Sequence, residues 1–457
     1  MDVSARFRGK KITLLGLGLL GRGVGDAKFL AENGADLIVT DLKSASELAT
    51  SVETLRGFTN VTFHLDGHDS VDFKDRDFVL KAAGVSLNSP DISEARKNGI
   101  PIKMSASWFA EIAQIPVVGV TGTRGKSTTT QLLYDIMQAP AYTINGIGWR
   151  RHTLLGGNVR GVSTLALLPD VTRDSMALME LDSWQLEGFG EAKISPNIAV
   201  FTTFYPDHMN YYGSTSLTTS KAMDAYLADK AQIFLNQKPE DTLVVSTQVA
   251  PIIKEKYGKR IVSRVVIADS AKFPKGWKLQ IPGEHNKLNV MCAIEAARAL
   301  GIDEEIIRKA VENFKGMPGR LEFLREIKGV KIYNDTTATT PEATIAALHA
   351  LNVGFRKPYI LLIAGGADKG LDMSGLIAEL SKCKKVILLA GTGTNRIKER
   401  LPNSSIYGTI GEALEAVLAG AESGDIILFS PAFASFGMFK NEFDRGDQFN
   451  ELVKKLS

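Results

Sequence analysis

The sequence predicts an α/β protein of three domains, and three observations carry that expectation. Short runs rich in Ile, Val and Leu recur along the chain, with the length expected of parallel strands buried on both faces. Three of these runs open onto a glycine-marked or polar turn and then a helix-like stretch. The length, 457 residues, suits two to four domains at roughly 100–200 residues each.

Taken in order, the first segment opens with KKITLLGLGLLGRG near Lys10 and continues to DLIVTD at 36–41. The second opens with IPVVGVTGTRGKSTTT at Ile115 and continues through SMALMEL (175–181) and IAVFTT (198–203). The third opens with GVKIYNDTTATTP at Gly329, followed by YILLIAGG (359–366), KVILLAG (385–391) and DIILFSP (425–431). Pro116 marks one boundary, and GMPGR (316–320) reads as a linker between periodic segments. The expected domains are therefore 1–114, 115–317 and 318–457. No short internal repeat or low-complexity segment interrupts them.

Composition narrows the class. Hydrophobic residues make up 44% and charged residues 23%, an ordinary globular balance. A net charge of +3, with both signs mixed, gives no case for a nucleic-acid partner. The two cysteines, Cys292 and Cys383, are far apart and suggest neither a zinc site nor a disulfide scaffold, which fits a reducing cytoplasm. The N-terminal apolar run is broken by glycines and Arg22, unlike a signal peptide, and no apolar run is long enough for a membrane span.

The strongest chemical signal is GTRGKSTTT (122–130), between an apolar strand and a helical stretch. Gly122 and Gly125 let the backbone turn its N–H groups toward an anion, the helix start adds its dipole, and Lys126 supplies a point charge. Ser127 or Thr128 can place a hydroxyl on Mg²⁺. The spacing is GxxGKS, with Val120 where a strict Walker A has its first glycine; the plainer alternative is a glycine turn with a solvated lysine. Glu180, at the end of an apolar strand, is placed to hold Mg²⁺ beside a nucleotide. GLGLLG (16–21), with Asp41 twenty residues beyond Gly21, has the form of a dinucleotide fingerprint, a pattern with many false positives.

GTRGKSTTT resembles the G-T-x-G-K-[ST] loop of the Mur ligases and folylpolyglutamate synthetases, and further stretches resemble Mur ligase motifs in family order. MELDSWQLE resembles E-L-S-S-F-Q-L-E, with Asp182 for the first serine and Trp184 for the aromatic. GGNVRG (156–161) resembles G-G-N-[IV]-G, which implies that Asn158 contacts the muramoyl peptide or the metal shell, although Arg160 stands where many relatives have Gly. YPDHMNYYG (205–213) resembles E-D-H-[ML]-D, making His208 a metal ligand, with Asn210 for the usual acid. YLADKAQIF (226–234) resembles the helix that carries a carbamylated lysine, here Lys230. GEHNKLN (283–289) resembles the element whose Asn286 and Asn289 serve ATP.

In the C-terminal third, Arg320 of GMPGRLE and Asp335 of YNDTTATTPEAT match elements that clamp the nucleotide, with Thr337 where relatives carry Lys. SPAFASFGMFKNEFDRGDQF (430–449) resembles the signature of the family's glutamate-adding form, which implies that Thr339, Lys369 and Ser435 hold the incoming carboxylates. In the N-terminal third, the resemblance turns GLGLLG into a UDP site involving Gly18 and Leu20, with Asp41 and Lys43 facing uracil and phosphate. Gly84, in KAAGVSLNSP (81–90), would approach the diphosphate, with Ala82 and Ala83 in place of Ser-Pro.

The resemblance thus implies an N-terminal Rossmann-like UDP-binding domain, a central P-loop ATPase-like domain and a C-terminal Rossmann-like domain. It implies a monomeric, cytoplasmic, ATP- and Mg²⁺-dependent amide ligase. Its substrates would be UDP-N-acetylmuramoyl-L-alanine and D-glutamate, and its catalytic residues Lys126, Glu180, His208 and Lys230, with Ser127 completing the metal set. Three rivals are a nicotinamide-dependent oxidoreductase built on GLGLLG, a non-catalytic nucleotide-binding partner subunit, and a sibling ligase for another amino acid.

Overall fold

The computed structural model describes residues 2–19, 21–139, 142–144, 147–149, 152–212, 219–352, 359–401 and 404–456. The chain forms two compact units: Met1–Phe273 with Leu288–Ala310, and Pro274–Lys287 with Val311–Ser457.

The first unit holds two parallel sheets. Strands β1 (Lys11–Leu15), β2 (Asp36–Asp41), β3 (Val61–Leu65), β4 (Phe78–Lys81) and β5 (Ile102–Lys103) lie in the order β3-β2-β1-β4-β5. The order reverses between β1 and β4, so the loops after these two strands open a crevice at their carboxyl ends, where α/β sheets bind ligands. Strand β6 (Val117–Thr121) begins the second sheet, and β7 (Tyr142–Ile144) and β8 (Ile147–Trp149) form a separate antiparallel pair. With β9 (His152–Gly157), β10 (Ser175–Glu180), β11 (Ile198–Phe201), β12 (Thr242–Ser246) and β13 (Arg264–Ala268), the order is β13-β12-β11-β6-β10-β9. Strands β6 and β10 are buried at every position, as their apolar runs lead one to expect, and so is β12, which the sequence did not mark. One apolar core, from Leu14 and Val39 through Phe109 to Phe201 and Val245, serves both sheets.

The second unit holds β14 (Glu322–Ile327), β15 (Val330–Asn334), β16 (Ile360–Gly365), β17 (Lys385–Leu389), β18 (Ser405–Tyr407) and β19 (Ile426–Phe429), in the order β14-β15-β19-β16-β17-β18. Alternate residues face opposite cores. Leu362, Ala364, Leu388 and Leu428 pack on one side, and Leu361, Ile363, Leu389, Ile427 and Phe429 on the other. Only β14 runs antiparallel in this sheet, and its polar sequence leaves it partly exposed at the edge. The α/β reading therefore holds in three sheet-bearing regions.

Candidate active site

The glycine loop forms where β6 ends. Gly125 adopts φ 88° as N-cap of the helix Lys126–Met137. A Cβ there would sit 2.1 Å from Asn289 Oδ1, so only glycine lets Asn289 pack against the loop. The end of β11 fixes the loop's shape. Thr123 N–H donates to the Thr203 carbonyl at 2.7 Å, Arg124 N–H to Thr203 Oγ1 at 2.8 Å, and Thr202 Oγ1 to the Arg124 carbonyl at 2.6 Å. Thr129 Oγ1 donates to the Asn289 carbonyl, which ties the helix to the segment bearing Asn289. Ser127 and Thr128 fall in the first turn of that helix.

Four expected catalytic residues gather around these strand ends. Lys126 Nζ donates to the carbonyls of Gly122 (2.8 Å) and Thr123 (3.3 Å). Lys230, 1% exposed near the end of the helix Thr219–Ala231, donates to the same Gly122 carbonyl at 3.0 Å and to Thr121 Oγ1 at 3.3 Å. Burial, then the Lys126 charge, holds its ammonium well below the usual lysine range. Glu180 ends β10 beside Val120 of β6, buried, with Oε1 accepting from Asn158 Nδ2 at 3.3 Å. His208 sits at φ 56° and packs its ring on Trp184, with centroids 4.7 Å apart. Its pKa is lowered by burial, against the pull of Asp207. Asp207 in turn accepts from Arg124 Nη1 at 2.9 Å, so the His208 segment is pinned to the glycine loop. Among the described residues, no group of three or more His, Cys, Asp and Glu forms a ready metal cluster. Asp182 caps the helix Ser183–Glu191, taking the Gln185 N–H at 2.7 Å while Gln185 reaches back to the Asp182 N–H.

On the crevice of the first sheet, Gly18 and Gly84 line one cavity together with Gly16, Arg22, Lys81 and Gly157. Asp41 is buried, and its carboxylate takes the N–H groups of Leu17, Gly18 and Lys43 at 2.9–3.0 Å, which braces the glycine turn from inside. Lys43 Nζ lies 4.0 Å from Asp41 Oδ1. Leu20 lies outside the described residues. Asn158 sits between the two sheets, accepting from Arg22 Nη1 and donating to Glu180.

The second unit brings its expected residues to the carboxyl ends of β15, β16 and β19. Asp335 is buried, and accepts from Leu321 N–H (2.9 Å) and Ser430 Oγ (2.8 Å). Burial raises its carboxyl to about 7, against those two bonds and the nearby Arg320 charge. Thr337 spends its hydroxyl on the Gly319 carbonyl at 2.9 Å, holding the GMPGR turn. Exposed Lys369 donates to Thr339 Oγ1 at 3.1 Å, and Ser435 is buried. Asn286 donates to the Pro282 carbonyl at 2.8 Å, which ties the helix start to the turn before it.

Some site-shaping residues escape a motif reading. Asp26 is buried, receives Ser105 Oγ (2.7 Å) and Ser163 Oγ (2.6 Å), and is raised to about 6 by burial. Arg445, inside the C-terminal signature, is fully buried and donates to Thr336 Oγ1, Thr336 O and Phe433 O. Only the signature hinted at Arg445, and nothing local hinted at Asp26.

Three family descriptions match along the chain: the Mur ligase MurD-like N-terminal domain at 10–104, the Mur ligase middle domain at 120–297, and the Mur ligase glutamate ligase domain at 319–433. Curated relatives include the UDP-N-acetylmuramoylalanine–D-glutamate ligases of Roseiflexus sp. (36% identical, 98% of this chain and 99% of that one) and Borreliella burgdorferi (34%, 97% of each). Among solved structures, the UDP-N-acetylmuramate–alanine ligase of Thermotoga maritima matches with a TM-score of 0.60 at 20% identity, over 97% of this chain and 99% of that one. The MurF ligase of the same organism, in complex with ADP, matches with a TM-score of 0.59 at 16%, over 100% and 98%. Relatives above 30% identity over nearly the full length place the chain in the Mur ligase family.

Proposed function

We propose that the chain adds D-glutamate to UDP-N-acetylmuramoyl-L-alanine in the cytoplasm, at the expense of ATP and through an acyl phosphate. The observation that carries this reading is the meeting of Lys126, Lys230 and Glu180 at the ends of β6 and β10, directly beside the glycine loop.

The terminal alanine carboxylate of the acceptor attacks the γ-phosphorus, ADP leaves, and the amine of D-glutamate then displaces phosphate from the acyl carbon. Catalysis of such a transfer is mostly positioning and charge stabilisation. The loop and helix start hold the phosphates through backbone N–H groups, and Lys126, released from the loop carbonyls, follows the migrating charge. Gly18 and Gly84 receive the acceptor's diphosphate in the crevice of the first sheet. In the second unit, Thr339, Lys369 and Ser435 take the carboxylates of D-glutamate.

The oxygen donors Glu180 and Ser127 suit Mg²⁺, a hard cation, and buried Lys230 suits it only as a carbamate; the nitrogen of His208 is the least matched. Bound there, the metal would neutralise phosphate charge. The relatives' printed names and the C-terminal signature support glutamate over a sibling amino acid.

The test is phosphate release from ATP with the UDP-linked acceptor and each candidate amino acid in turn. Release that needs both the acceptor and D-glutamate, and that Lys126→Ala removes, is the expected result. Release with another amino acid would move the specificity, and none with any would sink the reading.

A further inference from the structure

Away from the glycine loop, the first unit buries a second charged cluster that the mechanism leaves unused. Lys81 ends β4, and its side chain is 0% exposed. Its Nζ folds back over Gly84 and donates to the carbonyls of Val85 (2.8 Å) and Ala83 (3.4 Å). Ala82 and Ala83 offer no side-chain hydrogen bond, so Lys81 is the polar staple of this turn. The same Nζ lies 3.1 Å from Glu187 Oε2. Glu187 rides on the helix Ser183–Glu191, which starts just after Glu180. Its other oxygen receives Tyr211 Oη at 2.9 Å, and Tyr211 follows His208 by three residues.

Burying two ions is costly, and close pairing is what offsets it. Burial pulls the Lys81 ammonium down and pushes the Glu187 carboxyl up, each opposed by the other's charge. The three members connect specific places: the turn at 82–85 that lines the acceptor cavity, the helix after Glu180, and the segment after His208. A pair serving stability alone has no need to touch all three.

We propose that Lys81, Glu187 and Tyr211 form a positioning relay that sets the acceptor turn 82–85 in register with Glu180 and His208. The relay rests on the acceptor reading above. Lys81 and Glu187 act through the turn and the helix rather than on the substrate, so they are positioning residues.

The experiment compares wild type with Lys81→Met, Lys81→Arg, Glu187→Gln and Tyr211→Phe in the full chain. It measures kcat, the KM of each substrate, the thermal midpoint, and calorimetric binding of the UDP-linked acceptor without ATP. Misplacing the turn should raise the acceptor KM and Kd about tenfold in Lys81→Met and Glu187→Gln, and leave the ATP KM within about twofold. Lys81→Arg should recover most of the loss. Tyr211→Phe, which removes only a hydroxyl, should give a smaller rise in the same direction, and it carries the test if the charge variants do not fold. Equal rises in both KM values, or an unchanged acceptor KM in folded variants, would overturn the relay alone. A wild type that neither binds nor turns over the acceptor would overturn the acceptor reading, and the relay with it.

Discussion

Lys126 and Lys230 donate to one and the same acceptor, the carbonyl oxygen of Gly122, at 2.8 and 3.0 Å. Burial first, and the Lys126 charge second, holds the buried Lys230 ammonium well below the usual lysine range. Among the described residues, Lys230 donates to that carbonyl and to Thr121 Oγ1 and to no carboxylate, and it lies 4.9 Å over the Tyr226 ring.

A lowered lysine pKa means a larger fraction of free amine near neutral pH, and the free amine is the form that adds to CO2. Labelled bicarbonate should therefore give a carbamate ¹³C resonance in the wild type that Lys230→Ala lacks. CO2-depleted buffer should lower ligation, and bicarbonate should restore it. An active enzyme with no such resonance and no CO2 dependence would leave Lys230 as a plain buried amine.

Asp26 sets a pH dependence of stability. Its folded pKa, about 6, lies above the ordinary aspartate value of 3.8, so the folded state holds a proton that the unfolded chain releases. The stability tied to that proton is fully present below about pH 4 and is lost as pH rises toward 6, by about 3 kcal/mol at most. Both serine hydroxyls donate to Oδ1, an atom that Asp26→Asn keeps. The variant should therefore melt higher than wild type at pH 8 and about level with it at pH 4. A gap that is the same at both pH values would mean that the buried charge is not the cause.

Asp182 stands where the resembled motif has serine, and its Oδ1 accepts the Gln185 N–H in a capping box. Asp182→Ala should cost about 1 kcal/mol of stability, the usual loss of an N-cap. Asp182→Ser, which keeps an acceptor at the cap, should retain both stability and turnover. If Asp182→Ser kept its melting temperature but lost most of its kcat, the carboxylate would have a role beyond the cap.

Legibility in the sequence followed how local each signal was. β6, β10 and β16 were readable because strands buried on both faces need unbroken apolar runs. The glycine loop was readable because its backbone demands glycine at Gly125. β14 was not, since an edge strand reading EFLREI satisfies neither a buried run nor a clean alternation. β3, VTFHL, stayed hidden because its positions are mostly half-exposed, including His64. Asp41 also braces the glycine turn through the N–H groups of Leu17 and Gly18, a role the sequence hid because it cannot show which way a carboxylate turns. Nothing in the sequence around Lys81 points to its pairing, since its partner Glu187 lies far along the chain.

Arg445 shows the same limit inside a recognised signature. It lies within SPAFASFGMFKNEFDRGDQF, and its guanidinium is fully buried and spends its donors on the protein. Nη2 donates to the Thr336 carbonyl at 2.7 Å, Nη1 to the Phe433 carbonyl at 3.1 Å, and Nε to Thr336 Oγ1 at 3.2 Å. These bonds join the turn after β15, next to Asp335, to the turn after β19, next to Ser435. Arg445→Ala would leave two buried carbonyls without donors at roughly 1–3 kcal/mol each, so a loss of about 3 kcal/mol is expected from urea unfolding. Arg445→Lys keeps the charge but cannot span three acceptors from one compact ammonium, and should recover less than half of it. Because the bonds hold the two turns that carry the expected D-glutamate contacts, Arg445→Lys should also raise the D-glutamate KM more than the ATP KM. A lysine variant as stable as wild type, with both KM values unchanged, would show that the two turns hold their places without the guanidinium.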